Sequence, residues 1–225
     1  MGGEQRLRHG YTNATTTDGR RVVKRYVGPD AVERQQREVS ALTSLAGRLP
    51  VPPLLEHQDG QITMGFVAGL PGQELLTTAP DAVLHTVGRT ARQLQQIDVE
   101  SGASFSADRP DAVLVHGDFG PHNMIFEAST AEPTAIVDWE LTDVGDPIED
   151  IAWAEWVVRF HHADLVHALP ARFDGYQAQP PWPRRQAAML AKCRALDLVH
   201  RLRIDNDAEA GLWQRRIDTT AAFRE

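Results

Sequence analysis

Short alternating runs of apolar and polar residues fill the first third of the chain, and helical spacing replaces them afterwards. Tyr11–Thr17 is rich in threonine, which favours strand, and Asp18-Gly19 supplies a hairpin turn. Arg21–Val27 then alternates as the returning strand. Asp30 is placed to cap a helix running to Ala46, whose apolar stripe is Val39, Leu42 and Leu45. Pro50, Pro52 and Pro53 end it. Leu54–Gln58 and Gln61–Val67 flank Asp59-Gly60, a second hairpin signal. Ala68-Gly69-Leu70-Pro71-Gly72 punctuates the chain as a hinge would. Beyond it, Val83, Leu84, Val87, Ala91, Leu94 and Ile97 recur at helical spacing. Ser101–Pro110 reads as a loop, then Met124–Glu127 and Thr134–Trp139 as strands. Helices are expected over Asp146–Phe160, Arg184–Arg203 and Glu209–Phe223. The pattern predicts an α+β chain with a small antiparallel β-rich lobe carrying one helix, residues 1–68. A hinge at 69–72 leads to a larger, mainly helical lobe, residues 73–225.

Composition narrows the function classes. The 225 residues are 42% hydrophobic and 24% charged, ordinary for a globular protein able to bury a core. The net charge of −8 argues against nucleic acid, whose phosphates demand clustered Lys and Arg, and suits a cationic small molecule. Cys193 is the sole cysteine, so no intramolecular disulfide forms, as expected of a reducing cytoplasm. It shares a helical stripe with Met189, Leu196 and Val199 and reads as a buried thiol. Met1–Gly10 is polar, unlike a signal peptide, and no apolar run is long enough to cross a membrane. A monomer or weak dimer is expected.

Chemistry concentrates in one stretch. The apolar Leu114-Val115 runs into His116-Gly117-Asp118-Phe119-Gly120-Pro121-His122-Asn123, a loop built to present side chains. A hairpin turn centred between Thr130 and Ala131 would set Asn123 opposite Asp138, bringing an amide oxygen and a carboxylate together beside Asp118. Hard oxygen donors of this kind suit Mg²⁺. A slip of one residue would turn Asp138 to the other face. A hydrolase metal site formed by His116, Asp118 and His122 is the competing reading of the same loop. Asp146-Pro147-Ile148-Glu149 has the make-up of a helix start, with a cap, a first-turn proline and a capping-box glutamate.

His116-Gly117-Asp118 with Asn123, then Val137-Asp138-Trp139-Glu140, then Gly145-Asp146-Pro147 and Asp150, resembles the aminoglycoside phosphotransferase family. That family includes choline and other small-metabolite kinases and has the protein-kinase-like bilobal fold. The resemblance implies ATP as phosphoryl donor, Mg²⁺, and a small-molecule hydroxyl as acceptor. It casts Asp118 as catalytic base, Asn123 and Asp138 as metal ligands, and His116, Asp146 and Asp150 as braces of the catalytic loop. Lys24, in Val22-Val23-Lys24, resembles the lysine that holds the α- and β-phosphates, and Glu38 its ion-pair partner; Arg25 and Glu33 are their sequence neighbours. Thr12 and Asn13 fall in the segment resembling the phosphate-covering loop, and Gly65, Phe66 and Val67 where adenine is read. Glu140, Asp197 and Asp205 are candidate contacts for the acceptor, with Asp207 and Glu209 further acidic positions nearby. The implied acceptor is an aminoglycoside-like or other antibiotic, phosphorylated in resistance or self-protection. The helical lobe is short for the family, which allows a smaller acceptor. Three readings compete: a choline- or amino-sugar-type metabolite kinase, a catalytically silent nucleotide-binding module, and a kinase acting on protein hydroxyls.

Overall fold

The structure, a computed structural model, describes residues 5–6, 14–28, 30–98, 111–203 and 211–225. The expected positions Thr12, Asn13, Asp205, Asp207 and Glu209 and the expected loop Ser101–Pro110 lie outside these residues. β1 (Gln5–Arg6), β2 (Ala14–Thr17) and β3 (Arg21–Arg25) open a five-stranded antiparallel sheet. The Asp18-Gly19 turn forms as expected, with Asp18 Oδ1 accepting from the Arg20 and Arg21 N–H groups and Gly19 at φ 82°. α1 (Ala31–Leu45) packs against the sheet, buries Leu42 and Leu45, and also buries Arg34, Gln35 and Glu38. Asp30 does not cap it through its side chain. It takes a left-handed backbone at φ 55°. β4 (Leu54–Gln58) and β5 (Gln61–Gly65) complete the sheet in the order β1-β2-β3-β5-β4.

The punctuated segment after β5 is tied down. Leu70–Pro71 forms β6 and pairs with the later strand at Ile125 and Phe126. Gly69 sits at φ 151°, where a Cβ would lie 2.6 Å from the Ile125 side chain. The short helix α2 (Gly72–Leu76) leads to α3 (Pro80–Gln95), which buries the predicted stripe Val83, Leu84, Val87, Ala91 and Leu94. β7 (Val113–Val115) carries the chain into the His116–Asn123 loop. β8 (Met124–Phe126) and β9 (Pro133–Ile136) return as a hairpin in which Met124 faces Ile136. β10 (Asp143–Gly145) pairs antiparallel with β7.

Helices make up the rest of the described residues: α4 (Ile148–His161), α5 (Leu169–Tyr176), α6 (Trp182–Arg203) and α7 (Leu212–Ala222). The sequence pattern did not anticipate α5, which follows a 3-10 stretch at Ala163–Ala168. It crosses α3 at two glycines: a Cβ on Gly88 would lie 1.9 Å from Arg172 O, and one on Gly175 1.9 Å from His85 O. Ile148, Ile151, Trp153, Trp156, Met189 and Cys193 form a core between α4 and α6. The buried Glu155 carboxylate receives Arg159 (2.8 Å), Arg172 (3.1 Å) and Arg185 (2.6 Å), fastening α4 to α5 and α6. Among the described residues no helix is long and apolar enough to cross a membrane.

Candidate active site

The loop after β7 is shaped from below. Gly117 adopts φ 80°, and a Cβ there would lie 2.2 Å from Leu141 O, so the backbone can pass only as glycine. Asp150, on the first turn of α4, accepts from the backbone N–H groups of His116 (2.7 Å) and Gly117 (3.0 Å). Burial pushes its carboxyl up to about 7, against the two N–H donors that favour the ionised form. His116 is fully buried. Its Nε2 donates to Val137 O at 2.9 Å and its Nδ1 accepts from the Asp118 N–H at 3.2 Å. Burial holds its pKa down at about 4, so the ring is neutral at neutral pH. With both ring nitrogens engaged in bracing the loop, His116 does not converge with Asp118 and His122 on a metal position.

Asp118 projects from this brace with its side chain 30% exposed. Trp153, one turn after Asp150 on α4, donates its indole N–H to Asp118 Oδ1 at 2.6 Å. His122 Nε2 lies 3.2 Å from the same oxygen. Asn123 Nδ2 donates to Asp118 O (2.8 Å) and Oδ2 (3.1 Å). Burial pushes the Asp118 carboxyl upward, but the donors from His122 and Trp153 outweigh it and hold the group well below the usual carboxylate range. From the sequence Trp153 had no site role, and His122 had one only as a ligand of the competing hydrolase metal site. Trp153 was legible as a residue three positions after Asp150, on the same helical face.

The expected Asn123–Asp138 pairing is corrected by one residue. Val137 N–H donates to Asn123 O, and β9 ends at Ile136. Asp138 leaves the strand in a left-handed conformation (φ 67°, ψ 57°) and starts the 3-10 turn Trp139–Leu141. That backbone turn aims its carboxylate at the sheet lobe: Lys24 Nζ reaches Asp138 Oδ1 at 2.5 Å.

Lys24 is buried on β3 between strand neighbours, and Arg25 beside it is exposed. Its ammonium also meets Glu38 (2.5 Å), one turn of α1 beyond the buried Arg34, and Glu140 (3.2 Å). Glu33 is exposed on the opposite side of α1. Burial opposes the charge on Lys24, but Glu38, Asp138 and Glu140 override it and raise the amine above its ordinary range. Tyr26 O–H donates to Glu38 at 2.5 Å. Glu140 is not an acceptor contact as expected: it is 4% exposed and held by Lys24 and by Arg34 Nη1 at 3.1 Å.

Oxygens of Glu38, Asp138 and Glu140 lie within 4.8 Å of one another, but Lys24 stands among them. A divalent ion there would meet an ammonium, so this triad is charge-compensated and not a metal centre. Asn123 and Asp138 offer the hard amide and carboxylate oxygens that Mg²⁺ takes. Asp138, with 39% of its side chain exposed, can present its carboxylate to such an ion.

Asp146 Oδ1 accepts from the Ile148 N–H (3.0 Å), and Glu149 accepts from the Asp146 N–H (2.9 Å), so the capping box forms. Arg184 meets the same Asp146 carboxylate at 2.8 Å. Gly65 and Phe66 donate their N–H groups to Pro53 O and Arg20 O, so of the three positions Val67 is the one whose N–H could meet an adenine edge. Asp197 pairs with Arg201 at 2.9 Å along α6.

Residues 4–111 and 103–196 match the phosphotransferase enzyme family. The chain belongs to that family. The expectations of a phosphotransferase-family member and of a kinase-like α+β bilobal fold hold. The gentamicin–APH(2″)-IIa complex superposes with a TM-score of 0.72 at 16% identity, covering 99% of this chain and 92% of that one. The GDP complex of an aminoglycoside 2′-phosphotransferase-IIIa gives 0.77 at 13%, covering 98% and 92%. A macrolide 2′-phosphotransferase from Brachybacterium faecium gives 0.67 at 18%, covering 100% and 94%. At these identities the likeness is one of fold. Among curated relatives, acyl-CoA dehydrogenase family member 10 of Mus musculus is 51% identical over 60 residues, which are 27% of this chain. Family member 11 of Gallus gallus is 43% identical over 47 residues, 21% of this chain. The matched segments are 5% and 6% of those relatives' lengths.

Proposed function

We propose that this phosphotransferase moves the γ-phosphoryl group of ATP to a hydroxyl of a small molecule. The observation that carries the reading is the Asp118 carboxylate, kept ionised by Trp153 and His122 and flanked by Asn123, on the same loop system that aims Asp138 at Lys24. Phosphoryl transfer has a loose transition state, so positioning and charge neutralisation do most of the work. Asp118 orients the acceptor hydroxyl and takes its proton. A carboxylate held this far below its ordinary range is a weak base, so orientation is the larger part of its task. Glu38 fixes Lys24, whose ammonium would transfer its attention from Asp138 to the α- and β-phosphates. Asn123 and Asp138 would hold Mg²⁺, which when bound neutralises phosphate oxygens. Val67 would meet the adenine edge.

The antibiotic-modifying and metabolite-kinase readings share this chemistry and differ in acceptor. A silent nucleotide-binding module differs in turnover. The decisive measurement is ADP release from Mg-ATP by purified wild-type protein and Asp118→Asn, across a panel of hydroxylated acceptors. Asp118→Asn is expected to lose roughly 10²–10⁴-fold in kcat while retaining a thermal shift with Mg-ATP. Undiminished transfer by the variant overturns the assignment, and nucleotide binding without turnover on any acceptor favours the silent module.

A further inference from the structure

An aromatic stack leads away from Asp118. Trp153, whose indole holds the carboxylate, stacks on Trp156 with ring centroids 4.3 Å apart and an interplanar angle of 5°. Trp156 continues to Phe160 at 4.7 Å and meets the edge of His161 at 5.6 Å. Arg216, from α7, lies across the far end of this stack. Its guanidinium is 5.9 Å from the Trp156 ring, 5.5 Å from Phe160 and 4.3 Å from Trp213.

Among the described residues Arg216 has no counter-ion. Its Nε is buried and has no hydrogen-bond partner, and no carboxylate among the described residues pairs with it. Nearby Asp218 accepts from Gln214. A partly buried guanidinium without an anion is costly, and aromatic faces offset only part of that cost. The neighbourhood adds more donors. Burial, then Arg216, His162 and His122, hold His161 below the ordinary imidazole range. His162 is held down by burial and by His122, against Asp164, the one acid acting on it. The buried Nε2 of His162 and Nδ1 of His122 have no partner. On the other side of the loop, Lys192 Nζ donates to Gly117 O at 2.7 Å. In a chain of net charge −8, imidazoles and a guanidinium thus run from His122, 3.2 Å from Asp118, through His161 and His162 to Arg216.

We infer that the acceptor carries an oxyanion, a carboxylate or a phosphate ester, which Arg216 and His161 receive while its hydroxyl lies at Asp118. The inference rests on the phosphotransferase reading and names the acceptor class for that same site. It departs from the cationic acceptor that the overall charge suggested. A polycation would bring ammonium groups against Arg216, where no carboxylate among the described residues stands to meet them. An oxyanion would satisfy the guanidinium bidentately and take the imidazole N–H groups.

The test uses inorganic phosphate and citrate as probes, added to the full chain already saturated with Mg-ADP. Each is expected to raise the Tm of wild type by about 2–4 °C at concentrations well above its Kd. Arg216→Gln and His161→Gln, the latter at an exposed ring, are expected to lose most of that rise. Both should keep the wild-type Mg-ADP shift, which reports an intact fold and nucleotide site. In turnover, D-glycerate, gluconate, shikimate and glucose 1-phosphate are compared with kanamycin, gentamicin and choline. Transfer to an acid or phosphate ester, with KM raised at least tenfold by Arg216→Gln and kcat little changed, supports the inference. No oxyanion shift in wild type, equal shifts in the variants, or turnover confined to the cationic panel overturns it. A missing Mg-ADP shift in wild type sinks the phosphotransferase reading instead.

Discussion

At the scale of single residues, the loop after β7 is governed by which groups are charged. His116 is neutral because it is buried and because its two nitrogens are committed to one donation and one acceptance. Its folded pKa of about 4 lies below the ordinary value of 6.5. A folded state that binds fewer protons than the unfolded chain gains stability as pH rises. The contribution from His116 is therefore present above pH 6.5 and lost as pH falls toward 4. Asp150, pushed up to about 7, slopes the other way across the same window, so the wild-type curve alone blends the two. The difference in unfolding free energy between wild type and His116→Asn isolates the histidine. Urea melts at pH 7 and pH 4 are expected to show that difference shrinking by about 3 kcal/mol. A constant difference would mean that His116 is not held neutral.

At the scale of elements, glycines decide how closely helices approach. α3 and α5 touch backbone to backbone because Gly88 and Gly175 each leave the space a Cβ would fill. Gly88→Ala gains helix propensity of about 1 kcal/mol but forces the helices apart, and a net loss of about 2 kcal/mol is expected. Thermal unfolding measures it, and a stabilised variant would show that the crossing tolerates separation. The elements legible in the sequence were those with strong punctuation or long stripes: the hairpins at Asp18-Gly19 and Asp59-Gly60, α3, α4 and α6. α5 escaped notice because it is short, starts at Leu169-Pro170 and carries Gly175, so its pattern reads as loop. The hairpin register was misplaced by one residue for a local reason. The turn closes earlier than the count assumes, with Phe126 facing Pro133, and a bulge between Ile125 and Phe126 then shifts the pairing so that Met124 meets Ile136. The Asp118 loop was legible as a motif. Its braces His116 and Asp150 were legible with it, whereas Trp153 and Arg34 were not, since they serve the site through side chains that periodicity assigns to core or surface.

At the scale of the whole molecule, one lysine ties the sheet lobe to the catalytic side. Lys24 and Asp138 are 114 positions apart in sequence and in direct contact. Replacing Lys24 with methionine leaves Glu38, Asp138 and Glu140 facing one another without their ammonium, which is expected to cost about 3–5 kcal/mol of stability. In that variant the three oxygens become an opening for a cation. Mg²⁺ without nucleotide is then expected to raise the Tm of Lys24→Met more than that of wild type; equal shifts would count against the compensated-triad reading. Asp138 already occupies Lys24, as a phosphate would under the proposed function. Under the proposed function an arriving nucleotide would have to win the ammonium from an internal rival, and its own binding would assemble the machinery for transfer.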